Sequence, residues 1–128
     1  MALLESGEMY LETILILSGR ISPVRAIDVC DYIGYSKPSV SRAMRLLRTG
    51  GYILVDTNGA ITLTDSGRAI AERIYERHQA FAKWFVQLGV DEKTAQEDAC
   101  RIEHGLSDIT FAKVKDFVET HILKEDGE

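Results

Sequence analysis

Residues 36–63 read SKPSVSRAMRLLRTGGYILVDTNGAITL, and this stretch contains the clearest structural signals in the chain. Its first half places apolar residues at helical spacing, behind a serine and a proline and before the Gly50-Gly51 stop. Its second half no longer follows helical spacing and contains two β-rich runs, 52–55 and 60–63. These runs flank Asn58-Gly59, the strongest short hairpin signal. The stretch therefore predicts a helix followed directly by a two-stranded hairpin.

The residues before this stretch predict a second helix at helix-turn-helix spacing. Ser22-Pro23 fits an N-cap and first turn, and the apolar pattern continues to Ile33 and stops at Gly34. An earlier helix is predicted from an N-cap at Ser6 to Gly19. A helix-turn-helix followed by a hairpin is the winged-helix arrangement.

Three further helices follow the hairpin. The first is capped by Thr64 or Asp65 and closed by Gly89, the second is capped by Asp91, and the third is opened by Ser107. Residues 124–128 are predicted to form a frayed tail. We predict a mainly α fold: a winged helix-turn-helix domain with a β-hairpin wing, residues 1–71, and a C-terminal helical domain, residues 72–128.

Composition agrees with a globular protein of the reduced cytoplasm. The chain has 128 residues, 45% apolar and 27% charged, which fits one ordinary domain or two small ones that share a core. Its longest aliphatic run, residues 14–17, is far too short to span a membrane, and no signal peptide is visible. Cys30 and Cys100 lie far apart and form no disulfide framework.

The charge is distributed unevenly. Of the net charge of −5, residues 1–71 contribute zero, and Ser36–Gly50 contains four basic residues and no acidic one. A local positive field decides whether a phosphate backbone can approach. The helix from Ser36 is thus predicted to read DNA, with Arg42 as the best candidate to bind guanine. The predicted DNA-binding residues are Ser36, Lys37, Pro38, Ser39, Ser41, Arg42, Arg45 and, in the hairpin turn, Asn58.

Two alternatives stay open here: a solvated helix face with basic residues by chance, and a hairpin turn without contacts.

The segment Cys100-Arg101-Ile102-Glu103-His104 predicts a metal site. On a helix, positions i, i+3 and i+4 share one face, so a thiolate, a carboxylate and an imidazole project together. A transition metal accepts all three ligand types. The alternative is an exposed glutamate and histidine beside a small core cysteine.

Four stretches and one histidine resemble the diphtheria-toxin-repressor and manganese-transport-regulator family of metal-dependent repressors. They are residues 8–14 (EMYLETI), 37–41 (KPSVS), 63–67 (LTDSG), His78 and 98–108 (DACRIEHGLSD), and the match runs in register from about residue 5 to 120. The resemblance implies a cytoplasmic homodimer that binds a palindromic double-stranded DNA operator and represses metal-uptake genes. It also implies that residues 72–128 hold the metal and form the dimer.

The resemblance further implies which residues hold the ion. They are Met9, Glu12, His78, Cys100, Glu103 and His104. Met9 and Cys100 follow the iron-type pattern, whereas Glu12 follows the manganese type, so Fe(II) is expected first, Mn(II) is the alternative, and Zn(II) or Co(II) are expected to bind in vitro. Ala82 and Gln96 stand where ligands of a second, ancillary site would be expected. The short architecture resembles the manganese type, since iron-type members usually continue into a third domain.

Two other function classes remain. An open site of Cys, Glu and His can activate water in a metallohydrolase, but the sequence offers no separate general base, so we predict that the chain is not an enzyme and has no small-molecule substrate. The other class is a winged-helix regulator that works without metal.

Overall fold

The computed structural model describes residues 5–123, with side chains described to His121. The elements in chain order are α1 (Glu5–Ser18), α2 (Ala26–Ile33), α3 (Lys37–Thr49), β1 (Ile53–Val55), β2 (Ile61–Leu63), α4 (Asp65–Gln87), α5 (Glu92–Ile102), α6 (Asp108–Val118) and a π-helical turn (Glu119–Leu123). The predicted fold class, mainly α with one two-stranded hairpin, is confirmed. The chain forms two compact units, Met1–Arg73 and Ile74–Glu128.

The N-terminal unit contains the predicted helix-turn-helix. Gly34 ends α2 in the left-handed conformation (φ 83°), and its amide donates to the Cys30 carbonyl. Ser36 caps α3 as predicted, since its side chain accepts from the Ser39 amide. The apolar faces of the helices and the hairpin share one core, whose largest fully buried side chains are Leu11, Ile14, Val29, Val40 and Ile53.

Two predicted helix starts are wrong. Ser22-Pro23 precedes α2, because the buried Val24 is extended and forms an antiparallel bridge with Ile61, whose amide donates to the Val24 carbonyl at 2.7 Å. Arg25 is then the N-cap of α2. Ser6 is not the N-cap of α1, because it lies inside the helix, which the structure describes from Glu5.

The Asn-Gly hairpin is confirmed, with β1 and β2 antiparallel and Val55 opposite Ile61. Gly59 adopts a φ of 82°, which a residue with a side chain rarely adopts, and its amide donates to the Asp56 carbonyl. The Asp56 carboxylate also accepts from the amides of Asn58 and Ala60. The turn is therefore closed by its own backbone and by one aspartate.

The start of α4 packs directly against the base of the hairpin. Thr64, one of the two predicted caps, accepts from the Gly67 amide at 3.1 Å and donates to the Gly51 carbonyl at 2.7 Å. A Cβ atom on Gly67 would lie 2.0 Å from the Tyr52 carbonyl oxygen. Only a glycine permits this approach of helix and strand.

The C-terminal unit packs the later part of α4 with α5 and α6 around Phe81, Ala82, Ala99 and Phe111. The predicted caps are confirmed: Asp91 accepts from the Thr94 amide, and Ser107 accepts from the Thr110 amide. Across residues 5–123, no helix is both long and apolar enough to cross a membrane. The predicted tail, residues 124–128, lies outside the described residues.

Candidate metal centre and DNA-reading surface

The centre of the C-terminal unit is a buried carboxylate between two imidazoles. Glu103 has 0% of its surface exposed. His78 on α4 places Nδ1 2.8 Å from Glu103 Oε2, and His104 places Nε2 3.4 Å from Oε1. The two histidine side chains are 18% and 3% exposed. Gln96 holds the His78 ring from the other side, through Nε2 and the amide oxygen.

This cluster fits a divalent transition metal ion. Glu103 Oε1 accepts no hydrogen bond from any residue between 5 and 123. A buried carboxylate oxygen without a hydrogen bond is costly and requires an explanation, such as an ion. A carboxylate and two imidazoles are donors that such ions accept. The residues present therefore match the group that the sequence predicts.

Cys100 and the two residues after α5 keep the predicted spacing, with one correction. α5 ends at Ile102, so Glu103 and His104 lie in the following turn and not in the helix. Glu103 keeps right-handed helical backbone angles (φ −62°, ψ −24°), which preserves its i+3 position relative to Cys100. The Cys100 thiol is half-buried and not in a disulfide.

Met9 and Glu12 lie three residues apart on α1, in the N-terminal unit. Glu12 is 5% exposed, an unusual burial for a carboxylate, whereas Met9 is half-buried. The Tyr35 hydroxyl approaches the Met9 sulfur at 4.0 Å, and Tyr35 immediately precedes the cap of α3. The predicted ligands of this unit are thus neighbours on one helix.

Arg77 is a site residue that the sequence analysis missed. It is 3% exposed, and it donates to the carbonyls of Glu103 and Leu106 and to the Asp108 carboxylate. One signal was available: Arg77 continues the apolar stripe of Ile70, Ile74 and Phe81 on α4. A charged residue on a buried stripe requires buried partners.

The predicted DNA-reading residues are all exposed. Val40, Met44 and Leu47 anchor α3 in the core. Ser36, Lys37, Pro38, Ser39, Ser41, Arg42 and Arg45 are all exposed on α3 or at its cap, and Asn58 is exposed in the hairpin turn. The Ser36 and Ser39 hydroxyls bond to each other at 2.8 Å, so both are engaged in the cap.

Arg25 is a second residue that the sequence analysis missed. Its Nε donates to the Asn58 carbonyl at 3.1 Å, while its backbone amide donates to Asp28 on α2. One exposed arginine therefore connects the start of α2 to the hairpin turn. Since Arg25 caps a helix and Asn58 is 33 positions away, no local pattern indicated the contact.

Comparisons with known proteins identify the family. Residues 2–61 match the family model described as iron dependent repressor, N-terminal DNA binding domain. Residues 64–125 match the model described as iron dependent repressor, metal binding and dimerisation domain. The predicted family is confirmed.

Curated relatives cover most of the chain. An uncharacterized HTH-type transcriptional regulator of Methanocaldococcus jannaschii is 33% identical over 117 residues, which cover 90% of this chain and 94% of the relative. The transcriptional regulator MntR of Escherichia coli O157:H7 is 30% identical over 115 residues, 90% of this chain and 74% of the relative. These relatives are transcriptional regulators and not enzymes, so the prediction that the chain is not an enzyme is confirmed.

Solved structures share the fold. A manganese-dependent transcriptional repressor in complex with manganese has a TM-score of 0.79 and 29% identity, over 88% of this chain and 52% of that one. The manganese regulator SloR has a TM-score of 0.79 at 24% identity, over 88% of this chain and 53% of that one. The chain thus spans about half the length of these two proteins.

Proposed function

Because this chain belongs to the iron-dependent repressor family, we propose that it is a metal-activated, homodimeric, cytoplasmic repressor of metal-uptake genes. The observation that carries the proposal is the fully buried Glu103 carboxylate between His78 and His104. We assign DNA binding to residues 1–71, and metal binding and dimerisation to residues 72–128.

We assign metal binding to six side chains: Met9, Glu12, His78, Cys100, Glu103 and His104. The pairing of His78 and His104 with the Glu103 carboxylate supports the C-terminal half of this set. The burial of Glu12, one helical turn after Met9, supports the N-terminal half. When bound, the ion supplies the positive charge that makes the buried carboxylates favourable. The free energy of metal binding would favour one ordered arrangement of the protein, because side chains from separate helices must adopt that arrangement to bind the ion.

Fe(II) is the expected physiological ion, and Mn(II) is the alternative. The thiol of Cys100 and the thioether of Met9 are soft ligands, which favour Fe(II) over Mn(II). The carboxylates of Glu12 and Glu103 suit either ion, and the names of the two solved relatives described above specify manganese. Zn(II) and Co(II) are expected to bind in vitro.

The DNA partner is a double-stranded palindromic operator. The exposed face of α3 presents Lys37, Arg42 and Arg45 without an acidic neighbour between Ser36 and Gly50. We expect Arg42 to bind a guanine edge, because its planar fork matches O6 and N7 together. In a homodimer, the half-sites would lie about 10–10.5 base pairs apart, or a multiple of that distance.

The test is operator binding as a function of metal. An operator is first selected from a random duplex library with the Mn(II)-loaded protein, and its affinity is then titrated anaerobically with Fe(II), Mn(II), Zn(II) and Co(II). We expect roughly 5–150-fold tighter binding with the physiological ion than with chelator, the usual range of allosteric coupling. Equal affinity with and without chelator contradicts metal activation.

Matched variants locate the effect. Glu103→Gln removes the buried charge but keeps the side-chain shape, and we expect it to lose metal activation. Arg101→Ala is the control, because Arg101 is exposed near the end of α5 and pairs with Asp98, and this variant should behave as the wild type. Metal-dependent binding that survives Glu103→Gln would remove this carboxylate from the site.

A further inference from the structure

Two proposed ligands, Glu103 and His104, lie in a turn that regular secondary structure does not hold. α5 ends at Ile102 and α6 begins at Asp108. The last carbonyls of a helix have no partner within the helix, so another group must satisfy them when they are buried. What fixes this turn therefore also fixes the direction of both ligands.

The guanidinium of Arg77 fixes the turn at both ends. Its Nη1 atom donates to the Glu103 carbonyl at 3.1 Å and to the Leu106 carbonyl at 2.6 Å. Its Nη2 atom donates to the Asp108 carboxylate, in the first turn of α6, at 2.5 Å. A rigid planar fork holds three acceptors in a fixed arrangement, which a single ammonium group cannot do.

The surroundings of Arg77 make its charge costly to bury, so its contacts require a functional explanation. The side chain is nearly inaccessible, and the Phe111 ring covers it, with the guanidinium carbon 5.3 Å from the ring centroid. Its Nε has no hydrogen-bond acceptor among residues 5–123, which adds to the cost of burial. Arg77 is also adjacent in sequence to His78, so one segment of α4 presents one ligand and holds the backbone of another.

We propose that Arg77 is a positioning residue that directs Glu103 and His104 towards His78 before the ion binds. The inference rests on the proposed function, since it concerns the same metal site. Loss of a group that orients metal ligands typically lowers metal affinity about 10–100-fold. We expect a loss of this size when Arg77 is replaced by methionine.

The experiment uses Co(II) as the probe and the full chain. Co(II) affinity is measured from its visible absorption in the wild type, Arg77→Met, Arg77→Lys and the exposed control Arg101→Ala. Hydrogen exchange of the amides from Glu103 to Asp108 is measured on the metal-free proteins. We expect Arg77→Met to bind Co(II) about 10–100-fold more weakly and to exchange these amides faster, Arg77→Lys to lie between, and the control to match the wild type.

The absorption spectrum at saturating Co(II) distinguishes a positioning role of Arg77 from a purely structural role. If Arg77 only positions ligands, saturating Co(II) restores the wild-type absorption bands in Arg77→Met, because the ligand set is unchanged. Should Arg77→Met fail to fold, the same measurements on Arg77→Lys and Asp108→Asn test the role of Arg77. Asp108→Asn is suitable because Asp108 is exposed and contributes one of the three acceptors. Wild-type Co(II) affinity in these variants, altered bands at saturation, or unchanged exchange overturns the role of Arg77. Failure of the wild type to bind Co(II) overturns the proposed function instead.

Discussion

Replacing Gly67 with alanine tests whether the contact between α4 and the hairpin fixes the N-terminal unit. The new Cβ would lie 2.0 Å from the Tyr52 carbonyl oxygen and 2.9 Å from the carbonyl carbon. The strand or the helix must then retreat by roughly 1.4 Å to reach an ordinary contact of 3.4 Å. Both atoms belong to backbone, so no side-chain rotation relieves the clash.

The magnitude follows from three contributions. Overpacking of this kind costs about 1–3 kcal/mol. The Tyr52 carbonyl also accepts from the Thr64 amide at 3.1 Å, and displacing it weakens a hydrogen bond worth about 1 kcal/mol. Alanine recovers at most about 1 kcal/mol through its higher helix propensity. We therefore expect Gly67→Ala to lower the free energy of unfolding by about 1–3 kcal/mol.

Urea unfolding followed by circular dichroism measures the effect, with two glycines as matched controls. A Cβ on the exposed Gly19 would lie 3.5 Å from the Ile16 carbonyl oxygen, an ordinary contact, so Gly19→Ala should be nearly neutral. A Cβ on Gly50 would lie 2.9 Å from the Tyr52 ring. Because this side chain can rotate away, Gly50→Ala should have an intermediate effect on stability. Equal stability of Gly67→Ala and Gly19→Ala would show that the close contact between Gly67 and the Tyr52 carbonyl does not constrain this unit.

Three further predictions concern DNA, metal and pH. Arg42→Ala should weaken operator binding by about 1–3 kcal/mol and relax base preference, with Co(II) affinity unchanged. If this variant selects the same operator sequence as the wild type from the duplex library, Arg42 does not read a base. Met9→Asp should shift activation towards Mn(II), because a hard ligand replaces a thioether; an unchanged order of metals in the operator assay would show that Cys100 sets selectivity. The Thr94 amide holds the pKa of Asp91 below its usual 3.8, so the ionised cap stabilises the folded state at neutral pH and loses this effect as pH falls through the lowered pKa. The difference in urea midpoint between the wild type and Asp91→Asn should therefore shrink on acidification below pH 4, and a constant difference would contradict it.

Local signals made most of the fold predictable. The caps at Ser36, Asp91 and Ser107 each use a side-chain oxygen that accepts from an amide three residues later, so the pattern is complete within four residues. The hairpin likewise depends on Asn58-Gly59 and its flanking β-rich runs. The start of α2 was missed because Val24 pairs with Ile61, and no local signal contains a bridge between such distant positions.

The sequence predicted the types of ligand in the candidate metal centre but not how deeply they are buried. The spacing of Cys100, Glu103 and His104 indicated a shared face, and the family resemblance added His78. The complete burial of Glu103 was not visible in the sequence, because it results from packing against α4, about 25 residues away in the chain. The Arg77 contacts likewise join positions 26 to 31 apart.

The hairpin turn has a consequence for how DNA binding responds to salt. Residues 56–59 carry no basic side chain, and the Nε of the neighbouring Arg25 is engaged with the Asn58 carbonyl. In the proposed repressor, release of counterions from the phosphates would come mainly from α3, whose exposed Lys37, Arg45 and Arg48 are three of the four basic residues between Ser36 and Gly50. Two protomers that each use these three cations would give a slope of log affinity against log salt of about −5, at about −0.9 for each neutralised phosphate. In the proposed repressor, ionic strength and metal supply would thus act on the same complex, and a rise in salt would offset the gain in affinity from the ion.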